Sequence, residues 1–352
     1  MRRILITVPD LGEPGGVANY YTALQLDAEA DIEYLTVTGG SRRTFGRALR
    51  LGSVYVRLLS RLRNRHTVLV NPSMMPNAFW RDGLIVLLAN GLGTRVLVFW
   101  RGWDWTFFDR VRSSLLHRAF FRQSFAKAEE VIFLARQFAD AAEEITPKGM
   151  QNVHFETTVA DDHYLGRLAS RPLGKGVNLL FMSRMHRDKG VYVVLEVFRE
   201  LKSRYPHLSL TMAGAGEELA GAQEYVAKAE LEDVAFPGFL RGRAKHRALE
   251  AADVFVFPTT YGEGMPNCVL EALAYGLPVV SRWNAGIPDV VVDGKNGFLT
   301  EGTEPKSFIP LVEKLVVDEP LRLKMGQAAR EGSERFTRTT VRARMLALLR
   351  RD

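Results

Sequence analysis

Short, uninterrupted apolar runs recur along this chain, and helix-length stretches lie between them. In the first half the runs fall at residues 3–8, 68–70, 96–99 and 131–134; in the second they fall at 178–182, 209–212, 254–257 and 279–281. A strand covered on both faces reads as a continuous run and not as an alternation, so these are expected to be buried parallel strands. Helices are expected between them, among others over 17–26, 120–128, 191–203, 221–229 and 267–275. Such arrays call for an α/β fold of two Rossmann-like β/α/β domains facing a central cleft. At 352 residues the chain is long enough for two cores, by a rule of roughly 150 residues per domain. The polar, Gly- and Pro-containing stretch 161–176 is the expected linker.

The most chemically informative segment runs over residues 261–280, Tyr-Gly-Glu-Gly-Met-Pro-Asn-Cys-Val-Leu-Glu-Ala-Leu-Ala-Tyr-Gly-Leu-Pro-Val-Val. Glu263 sits in a Gly-flanked loop, and Glu271 follows on a short helix. Pro266 suits a first helical turn, while Gly276 and Pro278 form a stop signal. Glu271 lies about 6 Å along the helix axis from Asn267, at 1.5 Å per residue. The helix start can then face an anion through its N–H donors, while the carboxylates bind hydroxyls on either side. A nucleoside diphosphate sugar presents those groups in that order: ribose, diphosphate, sugar.

This segment resembles the signature of glycosyltransferase family 4, retaining enzymes of the GT-B fold with two glutamates separated by seven residues. Its Glu-Gly-Met-Pro-Asn variant is similar to bacterial polysaccharide glycosyltransferases. The resemblance implies that Glu263, with the N–H groups of Gly264 and Met265, binds donor-sugar hydroxyls and that Glu271 takes the ribose. Residues 181–190, Phe-Met-Ser-Arg-Met-His-Arg-Asp-Lys-Gly, are similar to the family's Arg…Lys-Gly motif. Arg184 and Lys189 would then hold the donor diphosphate, Arg as a fork and Lys as a point charge, with no metal. Gly15 and Gly16 match the paired glycines of the family's first loop, and residues 286–297 match a late segment. The expected division is 1–165, an acceptor-side domain, and 166–335, a donor-binding domain, with the helix of 336–352 crossing back onto the first. The donor is expected to be a UDP- or GDP-sugar and the acceptor a glycan or lipid-linked glycan. No other cofactor is implied.

Some residues are less directly informative. Thr211-Met-Ala-Gly-Ala-Gly-Glu217 falls short of a dinucleotide fingerprint, because Leu219 stands where the third glycine belongs. Residues 234–240 resemble the family segment beside the donor base, with Phe239 or Leu240 as a cover, and read equally as a core strand. Arg101 occupies the position where many family members carry histidine. Three roles stay open for it: binding phosphate, binding an acidic sugar, or pairing with Asp104. Trp103 and Trp105 read either as a sugar-stacking platform or as core. None of the seven histidines has metal-ligand spacing, and no Asp-x-Asp motif occurs; no metal site is expected.

The net charge of +7 is local: residues 41–65 carry eight arginines and no acid. Interleaved leucines and valines make this segment basic and amphipathic, as expected of a contact with an anionic membrane surface and not of a nucleic-acid binder; ordinary core leucines beneath a solvated arginine face, or a contact for an acidic polysaccharide, fit the same pattern. A lone cysteine, Cys268, fits a reducing compartment. With an opening apolar run too short for a signal peptide and no run of about 20 apolar residues, the expected location is cytoplasmic, peripheral on the inner face of the membrane. Two other classes share these features: a GT-B sugar-nucleotide epimerase, and a basic membrane- or nucleic-acid-binding protein with a vestigial sugar site.

Overall fold

The computed structural model describes residues 3–13, 15–37, 55–62, 66–161, 176–262 and 264–351. The chain divides into two compact units: one comprises residues up to Val159 together with the segment from Arg338, and the other is Ala160–Thr337.

The first unit is a six-stranded parallel sheet in the order β2-β1-β3-β4-β5-β6. Its strands are β1 (Ile4–Val8), β2 (Ile32–Thr36), β3 (Thr67–Val70), β4 (Arg95–Trp100), β5 (Glu130–Phe133) and β6 (Val153–Phe155). Helices α1 (Gly16–Leu24), α2 (residues 55–62), α3 (Pro76–Gly91), α4 (Trp105–Ser113), α5 (Leu115–Gln123) and α6 (Arg136–Glu144) fall between them. The second unit repeats the scheme as β12-β11-β10-β7-β8-β9, also parallel throughout. Its strands are β7 (Val177–Met182), β8 (Leu208–Ala213), β9 (Val234–Gly238), β10 (Val254–Phe257), β11 (Val279–Arg282) and β12 (Gly297–Thr300). Helices α7 (Val191–Arg204), α8 (Leu219–Lys228), α9 (Gly242–Ala251), α10 (Asn267–Ala274), α11 (Pro305–Val317) and α12 (Glu319–Gly332) accompany it.

The apolar runs are therefore the interior strands. Ile4, Leu5, Ile6, Val68, Leu69, Val96 and Val98 are fully buried, as are Leu179, Leu180, Phe255 and Val256. The strands that run-counting passes over, β2, β6 and β12, all lie at sheet edges. An edge strand is covered on fewer sides, so its sequence carries polar residues: β2 reads Ile-Glu-Tyr-Leu-Thr. β9 is likewise an edge strand, half-exposed along its length, and not a core strand. The expected helix over 120–128 is divided: α5 ends at Gln123 and a separate 3-10 turn spans Phe125–Lys127.

α13 (Arg338–Arg350) returns to the first unit. It buries Val341, Met345 and Leu349 completely or nearly so. Arg344 forks onto Glu156 at 2.8 Å through both Nε and Nη2. Arg342 and Arg350 reach Glu29, and Arg350 also meets Asp31 at 2.7 Å. These ion pairs fix the orientation of the helix, while the three apolar side chains supply most of its adhesion. Met345→Ala is expected to destabilise the chain by about 2–5 kcal/mol in urea titration, the range for emptying a core site. Arg342→Ala, at a half-exposed pair, should cost about 1 kcal/mol or less.

Candidate functional site

In each sheet the chain reverses its direction of travel once, and ligands of open α/β sheets bind at the carboxyl ends of strands beside that reversal. In the second unit it lies between β7 and β10, since β8 and β9 extend one way and β10 begins the return. The loop after β7 carries Arg184 and Lys189; the loop after β10 carries the segment that begins at Tyr261.

The two loops are joined by one backbone carbonyl. Asp188 O accepts from Thr260 N at 2.8 Å, Tyr261 N at 3.1 Å, Thr259 Oγ1 at 3.2 Å and Thr260 Oγ1 at 3.3 Å. A carbonyl has two lone pairs, so these four donors share them. The register is set by Gly190, which lies at φ 87°. A Cβ there would stand 2.5 Å from Pro258 Cγ and 2.7 Å from its carbonyl oxygen, so both conformation and space demand glycine. On the other side, Gly214 and Gly216 let the loop after β8 press onto residues 183–185; a Cβ on Gly214 would come within 1.8 Å of Ser183 O. Those glycines serve loop-on-loop packing, with Met185 N donating to Ala215 O at 2.9 Å. His186 completes the brace, Nε2 lying 3.2 Å from Glu217.

Arg184 and Lys189 both meet Tyr261. The Lys189 ammonium lies 3.9 Å from the ring centre and the Arg184 guanidinium 5.4 Å from it, within cation–π range. Lys189 is buried and Arg184 exposed, so the two cations sit at different depths behind and beside one ring. Glu263 lies outside the described residues; the chain on either side of it is held firmly. Asn284 Nδ2 donates to Tyr261 O at 2.8 Å, and Gly286 N donates to Gly264 O at 3.0 Å. Ala285 between them adopts a left-handed φ of 47°, a strained setting for a residue with a Cβ. The late segment therefore braces the glutamate loop from behind. Met265 is buried beside it.

Glu271 is on α10 and is buried to 9% exposure. Lys245 of α9 reaches it at 2.9 Å and also reaches Asp161 at 2.7 Å. Burial pushes the Glu271 carboxyl up from the ordinary carboxylate range, and Lys245 opposes it. Burial would lower Lys245, but the Glu271 and Asp161 carboxylates outweigh it and hold its ammonium above the usual value. Beside them His246 bonds the Tyr275 hydroxyl through Nδ1, and burial lowers its pKa. Lys245 was invisible to motif reading: it lies 26 residues before its partner, among surface-type residues. Helix geometry alone offered a hint, since Lys245 and His246 fall with Leu249 on the inward face of α9.

In the first unit Gly15 is extended at φ −179° and caps α1, which begins at Gly16. A Cβ on either would meet nothing within 4 Å, so local packing does not demand glycine and the space beside the helix start is open. Trp103 is core: 2% exposed and stacked on Phe138 at 5.2 Å. Asp104 does not pair with Arg101; its carboxylate caps α4 by accepting from Phe107 N at 2.8 Å. Arg101 is buried against Tyr20 and Phe99, and among the described residues its Nε and Nη1 lack hydrogen-bond partners. An unpaired buried donor costs about 1–3 kcal/mol, and more on a charged group. Phe239, the expected base cover, projects at the surface with Arg241 over its ring at 4.9 Å.

Of residues 41–65, only 55–62 are described; Arg42, Arg43, Arg47, Arg50, Arg63 and Arg65 lie outside. Within α2, Leu58 and Leu62 are buried in the core, Val56 and Leu59 are exposed, and Arg61 pairs with Glu33. Among the described residues no helix is long and apolar enough to cross a membrane, and no group of three or more His, Cys, Asp or Glu could hold a metal ion.

Two substitutions probe this construction. Gly190→Ala should destabilise the second unit by about 2 kcal/mol or more, from the left-handed backbone and the Pro258 contact together. Lys245→Met, which strands two carboxylates, should cost about 3 kcal/mol. Thermal unfolding of the full chain checks both, and Lys245→Arg should recover part of the loss.

The family model of the glycosyl transferases group 1 matches residues 170–332. Sequence relatives include the amylovoran biosynthesis glycosyltransferase AmsK of Erwinia amylovora, 30% identical over 162 residues, covering 44% of this chain and 38% of that protein. The D-inositol 3-phosphate glycosyltransferase of Corynebacterium jeikeium is 31% identical over 165 residues, covering 45% and 39%. The matched region thus spans less than half the length of these curated relatives. Among solved structures, the Anabaena protein HepE in complex with UDP superposes with a TM-score of 0.76 at 15% identity, covering 99% of both chains. A Rickettsia africae glycosyltransferase gives 0.75 at 16%, covering 99% of this chain and 97% of its own. At such identities the likeness bears on the fold. Residues 170–332, within the second unit, are thus similar to the group 1 glycosyl transferases, and the two parallel six-stranded sheets are those of the GT-B fold.

Proposed function

We propose that the chain is a retaining, metal-independent glycosyltransferase of family 4 that moves a sugar from a UDP- or GDP-sugar to a hydroxyl acceptor, a glycan or lipid-linked glycan of surface polysaccharide synthesis. The observation that carries this reading is the meeting of Arg184, Lys189 and the Tyr261 loop at the point where the second sheet reverses direction. Residues 70 or more positions apart in sequence are brought to one place, and their chemistry suits a diphosphate next to hydroxyls. A relative named for amylovoran biosynthesis, and a structural neighbour solved with UDP, favour the same substrate class.

In this reading the transition state is oxocarbenium-like and the leaving group is a nucleoside diphosphate. Arg184 and Lys189 neutralise the departing phosphates, helped by the N-terminus of α10. Glu263 and the N–H groups of Gly264 and Met265 orient the donor sugar, and the paired glycines Gly15 and Gly16 leave room for close backbone approach. Glu271 binds the ribose hydroxyls. Lys245 bonds one of its oxygens and the Asp161 backbone also donates to the carboxylate; the remaining lone pairs accept from the ribose. The leaving phosphate takes the acceptor proton on the same face of the sugar, so no enzymic nucleophile is required. An epimerase on this scaffold would invert a donor carbon without acceptor, which NMR of the donor distinguishes. The excess of arginine in residues 41–65 supports peripheral attachment to an anionic cytoplasmic surface.

Glu271→Gln is expected to weaken nucleotide binding about 10- to 100-fold, the equivalent of a lost charge-assisted hydrogen bond, while Glu263→Ala chiefly lowers turnover. Arg184→Ala and Lys189→Ala should impair nucleoside diphosphate binding far more than nucleoside binding, with activity insensitive to EDTA. Equal losses for both ligands, or abolition by EDTA, would overturn the clamp. Separately, liposome sedimentation should show binding that requires anionic lipid, weakens with salt, and falls when Arg57, Arg61, Arg63 and Arg65 become glutamate. Indifference to anionic vesicles at low salt would end the membrane reading alone.

A further inference from the structure

Arg101 stands at the end of β4, beside the point where the first sheet reverses direction between β1 and β3. It is 7% exposed. Its guanidinium carbon lies 4.1 Å from the centre of the Tyr20 ring and 4.2 Å from that of Phe99. The two rings are set at 79° to each other, so the cation nests in the corner of two aromatic faces. Tyr20 belongs to α1, one turn past the open Gly15-Gly16 helix start.

Among the described residues this cation pairs with no acid. Nε and Nη1 are buried without hydrogen-bond partners among the described residues, and the adjoining Tyr20 hydroxyl interacts with the guanidinium and favours its charged form. The nearby carboxylates are committed: Glu156 receives the Arg344 fork, and Asp104 caps α4. Tyr21 is committed too, donating to Asn71 Oδ1 at 2.8 Å. A guanidinium cannot shed its proton to escape such a setting. A fixed charge with vacant donors, held at the carboxyl end of a sheet, is the arrangement that a counter-ion arriving with a ligand completes.

We infer that Arg101, in its Tyr20–Phe99 corner, is an oxyanion-binding site of the first unit, taking a phosphate or carboxylate group carried by the acceptor. The anion site follows from the geometry of this unit; assigning its ligand to the acceptor rests on the glycosyltransferase reading above. The fork of Arg, and not charge alone, is required, because both phosphate and carboxylate offer paired oxygens.

The test uses the full chain carrying Arg184→Ala and Lys189→Ala, so that the donor-side cations do not contribute. Inorganic phosphate, glucuronate and neutral glucose are titrated calorimetrically, with thermal shift as a second readout. At least one anion should bind and raise the melting temperature while glucose does not. Arg101→Met should weaken that binding at least tenfold, and Arg101→Lys should fall between. Phosphate alone would assign a phosphorylated acceptor, glucuronate alone an acidic sugar, and both a general oxyanion site. If Arg101→Met fails to fold, Arg101→Lys and Tyr20→Phe carry the comparison. Binding of neither anion, or binding unchanged in the Arg101 variants, overturns the site. Nucleotide-sugar binding to the parental chain is measured beside it and reports on the donor reading independently.

Discussion

The carbonyl of Asp188 holds the second unit's site together. Four donors from Thr259, Thr260 and Tyr261 converge on it, and it can receive them because Gly190 turns the chain into a conformation no other residue accepts at that distance from Pro258. Lys189 and Tyr261 are placed relative to this junction. Lys189 is the residue before the glycine, Tyr261 is the last donor, and Glu263 follows two residues later. The loop after β7 and the loop after β10 are thus one mechanical piece, although they come from opposite sides of the reversal.

The second anchoring arrangement is electrostatic. Burial raises the Glu271 pKa and Lys245 opposes that shift, dividing its ammonium between Glu271 and Asp161. Its strength depends on excellent geometry, because desolvation of three ions opposes it. The first unit solves a similar problem at Glu156, where Arg344 supplies both bonds. Arg101 is the exception: a buried cation lined by rings.

How much of this was legible in the sequence depends on what each residue is covered by. Interior strands are sandwiched on both sides and read as apolar runs, so β1, β3, β4, β5, β7, β8, β10 and β11 were all visible. β2, β6 and β12 are edge strands, and β9 is half-exposed; their mixed composition hides them from the same criterion. In the site, residues bonded to near neighbours in sequence, such as the 261–271 segment, were readable from spacing. Long-range partners were not. Lys245 pairs across 26 residues and Asn284 across 23, and neither belongs to a local pattern. Asp104 misled for a local reason: its short side chain is better satisfied by the α4 N–H groups than by a distant guanidinium. The α2 leucines show the limit of amphipathic reading, since Leu58 and Leu62 face protein while Val56 and Leu59 face outward.

The return of α13 to the first sheet has a bearing on biogenesis. Val341, Met345 and Leu349 close that unit's core, yet they leave the ribosome only after the whole of Ala160–Thr337 has been made. At synthesis rates of about 5–20 residues per second, that interval is on the order of 10–40 s. The second unit is continuous in sequence and can complete its sheet during that time. The first unit, though synthesised earlier, waits with an unsealed apolar surface and with Glu156 lacking its arginine. The first unit's core is therefore completed only after the second unit has been synthesised, and the interval of exposure falls on the half of the chain that carries Arg101.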